Sequence, residues 1–148
     1  MKIVARNKKA SFNYHILNTY EAGIVLKGTE IKSIRASKCN IADSYCLIRD
    51  NQLYITNMHI AKYEQGNIFN HDETRRRTLL MHKKEIIKIN NKMVLEDLTL
   101  IPLKVYIDKG LCKLEIALAK GKKNYDKRQS LKEKDAKRNI EKSLKERV

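Results

Sequence analysis

The chain has 148 residues, 42% of them hydrophobic, and carries 32 Lys/Arg against 17 Asp/Glu, a formal charge of +15. That length builds one compact domain with an appendage, and so large a cationic surplus calls for a polyanionic partner, with nucleic acid ahead of anionic membrane. No stretch offers the ~20 apolar residues a bilayer requires and the N-terminus lacks a signal-peptide core, so the expected setting is the cytoplasm, with no membrane partner.

FNYHILNTYEAGIVLKG, residues 12–28, is rich in aromatic and β-branched side chains and predicts one long strand bent at Gly23 and Gly28. TEIKSIRAS (29–37) spaces Ile31 and Ile34 three apart, with Lys32 and Arg35 directed elsewhere, the pattern of a short helix with one apolar edge. Asp43 stands alone and is expected to cap a turn. SYCLIRDNQLYITNMHI (44–60) predicts a hairpin, because Asp50–Asn51 between two β-rich arms tolerates a left-handed backbone. TRRRTLLM (74–81) predicts a further strand. HKKEIIKINNKMVLED (82–97) predicts a helix, with Ile86, Ile89 and Met93 spaced by three and four, and Ile87 and Val94 by seven. LTLIPLKVYI (98–107) and LCKLEIALA (111–119) alternate as a strand pair joined through Asp108, Lys109 and Gly110. Pro102 lacks a backbone donor, which predicts an edge strand or a strand start there. Antiparallel strands with two to three short helices in residues 1–119 fit a mainly β fold, a small OB-fold-like barrel.

At Lys120 the composition changes. Residues 120–148 hold twelve Lys/Arg against five Asp/Glu, a net +7, while the preceding 119 residues hold twenty against twelve, a net +8. This basic tail has few large aliphatic residues, and the helical signals within it start at Ser130. Ser130-Leu-Lys-Glu133 reads as a capping box, Glu133/Lys137 and Glu141/Lys145 are i, i+4 ion pairs, and Ala136, Ile140, Leu144 and Val148 fall four apart. Each such pair contributes only ~0.2–0.5 kcal/mol and helix nucleation is unfavourable, so the tail is expected to be disordered when free and helical against an RNA surface.

Catalytic signals are sparse. His15, His59, His71 and His82 show no i, i+4 pairing, and no Gly-rich phosphate loop or nucleophile elbow occurs. Cys39, Cys46 and Cys112 are odd in number without a C-x-x-C pair, and read as small buried hydrophobes. The one alternative of a different class is a metal-dependent ribonuclease in which His71, Asp72 and Glu73 hold Mg²⁺ beside an arginine run. The plainer reading of that segment is a solvated loop, since it lacks a second carboxylate pair. Lys2, Arg6, Lys8 and Lys9, with Lys27, Lys32, Arg35 and Lys38, lie close in sequence to Tyr14, Tyr20 and Tyr45. Cations for phosphates beside flat rings for bases are a nucleic-acid pattern, although tyrosines also fill barrel cores.

NKKASFNYHILNTYEAGIVLKGTEIKSIRASKCNIADSY (7–45), HDETRRRTLLM (71–81), LTLIPLKVY (98–106) and AKGKKNYDKR (119–128) together resemble, in order and spacing, the SsrA-binding protein family of bacterial trans-translation. The resemblance implies a non-enzymatic protein without cofactor or metal. Its implied partners are transfer-messenger RNA and the ribosome, and it would act as a single copy when bound. It implies that the barrel binds the tRNA-like domain through Asn7, Tyr14, Glu21, Lys32, Arg35, Lys38, Asn40 and Tyr45. It also implies that the tail enters the decoding centre and the empty mRNA channel, where Lys120, Lys122, Lys123, Lys127 and Arg128 meet phosphates and Tyr125 stacks. Asp126 would orient Arg128 or cap a helix. On a basic surface Glu21 does not serve phosphates; it accepts from ribose hydroxyls or base amino groups, or else pairs with a nearby lysine. The chain departs from the family pattern at Glu73, at Thr78, around Ala61–Lys62 where a proline is expected, and at Asp97 where a glycine is expected.

Overall fold

The computed structural model describes residues 1–65 and 70–146, with side-chain surroundings up to residue 138. The described elements run β1 (Lys2–Arg6), α1 (Ala10–Asn13), β2 (Tyr14–Ile24), α2 (Gly28–Arg35), β3 (Cys39–Asn40), β4 (Tyr45–Arg49), β5 (Gln52–Thr56), β6 (His59–Ile60), β7 (Arg77–Leu80), α3 (Lys83–Glu96), β8 (Thr99–Asp108), β9 (Leu111–Gly121) and α4 (Asn124–Glu146). Every described strand pair is antiparallel. The strand order β1-β8-β4-β5-β7-β2-β9 closes on itself because β8 also pairs with β9. The mainly β class holds, and the strands form a barrel-like ring.

Hairpin chemistry sets two of the joints. Asp50 and Asn51 both take positive φ, 52° and 59°, and so do Lys109 at 50° and Gly110 at 77°, which matches the right-handed twist of the strands they join. Strand β2 starts later and ends earlier than its sequence suggests. Phe12 and Asn13 belong to the single turn α1, and Gly28 opens α2 instead of bending a strand.

Pro102 lies inside β8, contrary to the edge position expected for it. It sits at a register shift between Pro102 and Lys104, where the ladder to β9 is already broken. The shift also divides the other edge of β8: β4 pairs at Leu100, and β1 pairs along Lys104 to Ile107.

The main core fills the ring with Leu53, Ile55, Leu100, Val105, Leu114, Ile116 and Leu118, roofed by Ile34 of α2 and by Ile86 and Ile89 of α3. Each fully buried aliphatic contributes about 1.5–3 kcal/mol. On α3 the buried face is Ile86/Ile89, with Met93 partly covered; Val94 and Ile87 are exposed. A second cluster, Ala10, Ile101, Ala117 and Ala119, lies where α1 covers the outer side of β8 and β9. Covering both faces explains the unbroken apolar run Ile116–Ala119. Cys46 is buried, whereas Cys39 and Cys112 are half-buried against the core. Burial pushes the Cys39 thiol up to about 12 and the Cys112 thiol to about 11, so both are inert neutral packing groups.

Two local caps differ from expectation. The turn after β3 is held by Asn40 Oδ1, which accepts from Ala42 N at 2.8 Å, and by Ser44 Oγ, which donates to Ile41 O at 2.6 Å; exposed Asp43 has no part in it. Helix α4 starts six residues before Ser130, because Asp126 sits three residues past Lys123 and accepts its N–H at 3.2 Å. Ser130 instead bonds back to Asp126 O at 3.1 Å. Asp97, where glycine was expected, takes φ 52° at the C-terminus of α3, one of the few left-handed sites a short polar residue tolerates. Ile140, Leu144, Val148 and the pair Glu141/Lys145 lie outside the described side chains.

Candidate nucleic-acid interface

The placement of α2 begins with Glu30, a carboxylate with no solvent exposure. Oε1 accepts from Lys27 N at 2.8 Å and from Arg75 Nη2 at 2.6 Å, while Oε2 accepts from Arg77 Nε. Arg77 is itself fully buried and donates onward to Met58 O at 2.6 Å and Glu73 O at 3.2 Å. Burial alone would raise the Glu30 carboxyl, but Arg75, the Lys27 N–H and Arg77 outweigh it and hold the group below the usual carboxylate range. This anchor is what local pattern reading missed, because its partners are 45 and 47 residues away.

Anchored in this way, α2 turns its cations outward. Arg35 is exposed, and its carbonyl accepts from Lys2 Nζ at 3.1 Å, which ties α2 to β1. Lys32 Nζ stands 5.1 Å from the ring centroid of Tyr63. Lys38 is exposed while its backbone clamps the chain, with Lys38 N donating to Ser33 O and Ala61 N donating to Lys38 O, each at 3.0 Å. Asn40 lines a shallow groove against β1 together with Arg6 and Lys8. Lys2 thus meets Arg35, and Arg6 and Lys8 share a groove with Asn40; with exposed Lys32 on α2 and exposed Lys38 just before β3, these elements carry a cationic band along α2, β3 and β1.

Glu21 lies on the outer face of β2 at the border of that band. The Tyr106 hydroxyl donates to its Oε2, and Lys113 Nζ donates to its Oε1 at 2.9 Å. Tyr106 pairs with Ile3 of β1. A cleft of about 320 Å³ between α2 and the β8–β9 hairpin is lined by both Arg35 and Lys113. The lysine pairing considered from sequence is therefore present, yet the Glu21 side chain remains 54% exposed and keeps free acceptor capacity. The Tyr106 hydroxyl and then the Lys113 ammonium hold its carboxyl below the ordinary range.

The remaining candidates on the barrel lie apart. Asn7 follows β1 and has structural work, its Nδ2 donating to Pro102 O at 3.1 Å and its backbone N to Leu103 O at 2.8 Å. Tyr14, half-buried at the start of β2, packs on the second apolar cluster. Tyr45 stands exposed at the start of β4 opposite Thr56.

The tail leaves the barrel from a fixed point. Strand β9 runs two residues beyond Ala119, so Lys120 is paired in the sheet with His15. Lys122 N donates to Asn13 O at 2.9 Å and Lys122 Nζ to Ser130 Oγ at 2.8 Å, while His15 Nε2 approaches Asp126 Oδ2 at 3.4 Å. Lys123 and Arg128 are exposed, Lys127 is half-buried, and Tyr125 is 65% exposed with no partner among the described contacts. Asp126 caps α4 and does not contact Arg128 among the described hydrogen bonds and ion pairs. Residues 132–138 are all exposed.

The segment proposed for Mg²⁺ is occupied by structural bonds. His71 is buried, its Nδ1 accepting from Thr29 Oγ1 at 2.8 Å and its Nε2 donating to Ile60 O at 2.9 Å, which leaves no lone pair for a metal. Asp72 Oδ1 accepts from Thr74 N at 2.9 Å, and Glu73 Oε2 meets His59 Nε2 at 2.7 Å. Among the described residues no three His, Cys, Asp or Glu side chains converge as a metal site. The ribonuclease reading is overturned by this geometry.

Comparison with known proteins agrees with that arrangement. The family described as SmpB protein matches residues 4–146. The chain is similar to the SsrA-binding protein of Shouchella clausii (strain KSM-K16), with 54% identity over 99% of this chain and 94% of the relative. It is likewise similar to the SsrA-binding protein of Pelotomaculum thermopropionicum, with 51% identity over 100% of this chain and 97% of the relative. A solved structure described as "tmRNA-SmpB: a journey to the center of the bacterial ribosome" contains a chain similar at 42% identity and a TM-score of 0.68, covering 85% of this chain and 92% of that one. No described helix is long and apolar enough to cross a membrane.

Proposed function

This chain belongs to the SmpB protein family, and on that premise we propose that it binds the tRNA-like domain of transfer-messenger RNA and delivers it to stalled ribosomes. The observation that carries the reading is similarity to SsrA-binding proteins along essentially the whole chain, tail included. The chemistry fits. The cationic band on α2, β3 and β1 neutralises phosphates, which supplies affinity, and Glu21 adds an acceptor for ribose hydroxyls or base amino groups, which supplies selection. Asn7 fixes the chain after β1 through Pro102 and Leu103, and the rings of Tyr14 and Tyr45 are further RNA contacts on the barrel away from the band.

The tail is a second device. From Lys120 to Arg128 the chain presents Lys120, Lys122, Lys123, Lys127 and Arg128 around the exposed ring of Tyr125, with Asp126 capping α4. In the decoding centre these cations meet ribosomal phosphates and the ring stacks on a base. Beyond Leu131 the barrel gives α4 little support, so the helix is an ensemble in the free protein and orders in the empty mRNA channel, where phosphate contacts offset the ordering entropy. The protein acts as a single copy in the cytoplasm and performs no chemistry; peptidyl transfer belongs to the ribosome.

Truncation after Gly121, the last residue of β9, tests the division. Affinity for the tRNA-like domain is retained and tagging on stalled ribosomes is lost. Equal loss of both would refute two separable devices.

A further inference from the structure

Glu21 is an anion on a chain of net charge +15, and it is half-exposed beside the Lys113 ammonium. A glutamate in that setting rotates freely and lies down on whichever lysine is nearest, because surface ion pairs define direction poorly. Here the direction is set by a neutral donor. Tyr106 is 5% exposed and lies on the outer side of β8, flanked by Ile3 of β1 and Lys113 of β9 in the strand register. Lys104 Nζ covers its ring at 5.6 Å and is held 3.4 Å from Glu115 Oε2. The ring therefore has no freedom to swing, and its hydroxyl is directed at Oε2 of Glu21.

We propose that Tyr106 is a positioning residue for RNA selection: its hydroxyl aims the Glu21 carboxylate, with Lys113 cancelling the charge, so that the barrel presents a directed and electrically neutral acceptor to ribose hydroxyls or base amino groups. The proposal rests on the assignment of Glu21 to RNA contact made above.

Three features support it. First, each carboxylate oxygen has one protein donor and so keeps a lone pair for a ligand. Second, Glu21 with Lys113 and the phenol sums to zero charge, so an approaching polyanion meets an acceptor without net repulsion. Third, burial and then the Glu21 carboxylate push the phenol's pKa above its ordinary value, so it stays a protonated donor throughout the working pH range. The sequence hides this arrangement, since Glu21 and Tyr106 are 85 residues apart.

The test compares binding of the full chain to the tRNA-like domain and to an unrelated duplex of equal length, across a salt series. Tyr106→Phe keeps the ring packing and removes only the hydroxyl. It is expected to weaken the tRNA-like RNA by about three- to tenfold, the range for losing one directed hydrogen bond, and to leave the duplex unchanged. Its salt slope matches the parent because no cation is removed, whereas Arg6→Ala, which removes a cation of the phosphate-binding band, lowers the slope by up to about one. In a Glu21→Ala background Tyr106→Phe has no further effect. If Glu21→Ala itself leaves discrimination intact, the assignment of Glu21 falls and the proposal with it. If Glu21→Ala reduces discrimination while Tyr106→Phe does not, only the positioning role is overturned. Equal weakening of both RNAs by Tyr106→Phe, or additive loss in the double variant, also overturns it.

Discussion

Replacing Glu30 by Gln removes the only anion among the described contacts between Arg75 and Arg77 while preserving size and the bond to Lys27 N. Arg77 keeps its carbonyl partners but becomes a fully buried cation beside a second guanidinium with no counter-charge. Breaking a buried pair from one side costs about 3–5 kcal/mol, a large share of the ~5–15 kcal/mol that holds a domain together. With a slope of about 2 kcal/mol/M, the urea midpoint falls by about 2 M. A double variant, Glu30→Met with Arg77→Met, is expected to lose less than either single change, since no charge is left stranded. The pH dependence carries the same information. The Glu30 carboxyl is lowered in the fold, so its stabilisation is complete above the unfolded value near ~4.3 and is lost as pH falls through the lower folded value. Glu30→Gln therefore shows a flatter acid limb and converges with the parent at low pH. A midpoint shift below about 0.3 M at neutral pH would mean that this cluster does not hold α2 in place.

Other perturbations separate the remaining roles. Tyr125→Phe leaves tagging near the parent level, whereas Tyr125→Ala weakens ribosome engagement by the equivalent of about 1–3 kcal/mol, read from tagging titrations on stalled ribosomes, if the ring stacks on a base. Asp97→Gly raises thermal stability by up to about 1 kcal/mol, because glycine relieves the left-handed backbone at the end of α3; a lower melting midpoint would refute that reading of φ 52°. Incubation of RNA with the protein leaves it intact with Mg²⁺ or with EDTA. His71→Ala lowers the urea midpoint through the loss of one buried and one part-buried hydrogen bond, about 1–3 kcal/mol of stability, without altering RNA integrity.

The elements with local signals were legible. Asp50–Asn51 announced its hairpin, Ile86 and Ile89 the buried face of α3, and the alternation on either side of Lys109–Gly110 the pair β8–β9. What escaped was decided by partners distant in sequence. Pro102 reads as an edge residue until the register shift that accommodates it is seen. Ser130 resembles a cap because the true one, Asp126, lies among lysines where a carboxylate is easily taken for an arginine partner. Within the candidate site, Lys32, Arg35, Lys38 and Asn40 are carried by motif alone; the contact of Lys2 with Arg35 and the groove shared by Arg6, Lys8 and Asn40 exist only because β1 docks beside α2 and β3. Tyr106 and Lys113 carried no signal at all, since alternation marks them only as outward residues of a hairpin.

The ring has a consequence for how this protein is made. Strand β9 bonds to both β2 and β8 and is the last of the described strands in chain order, so a nascent chain cannot shut this ring until β9, ending at Gly121, has been added. Long-range closure of that kind is slow, and the segment synthesised afterwards tethers the maturing barrel to its own ribosome. A message severed before that codon yields a product with open strand edges, the form on which aggregation and proteolysis act.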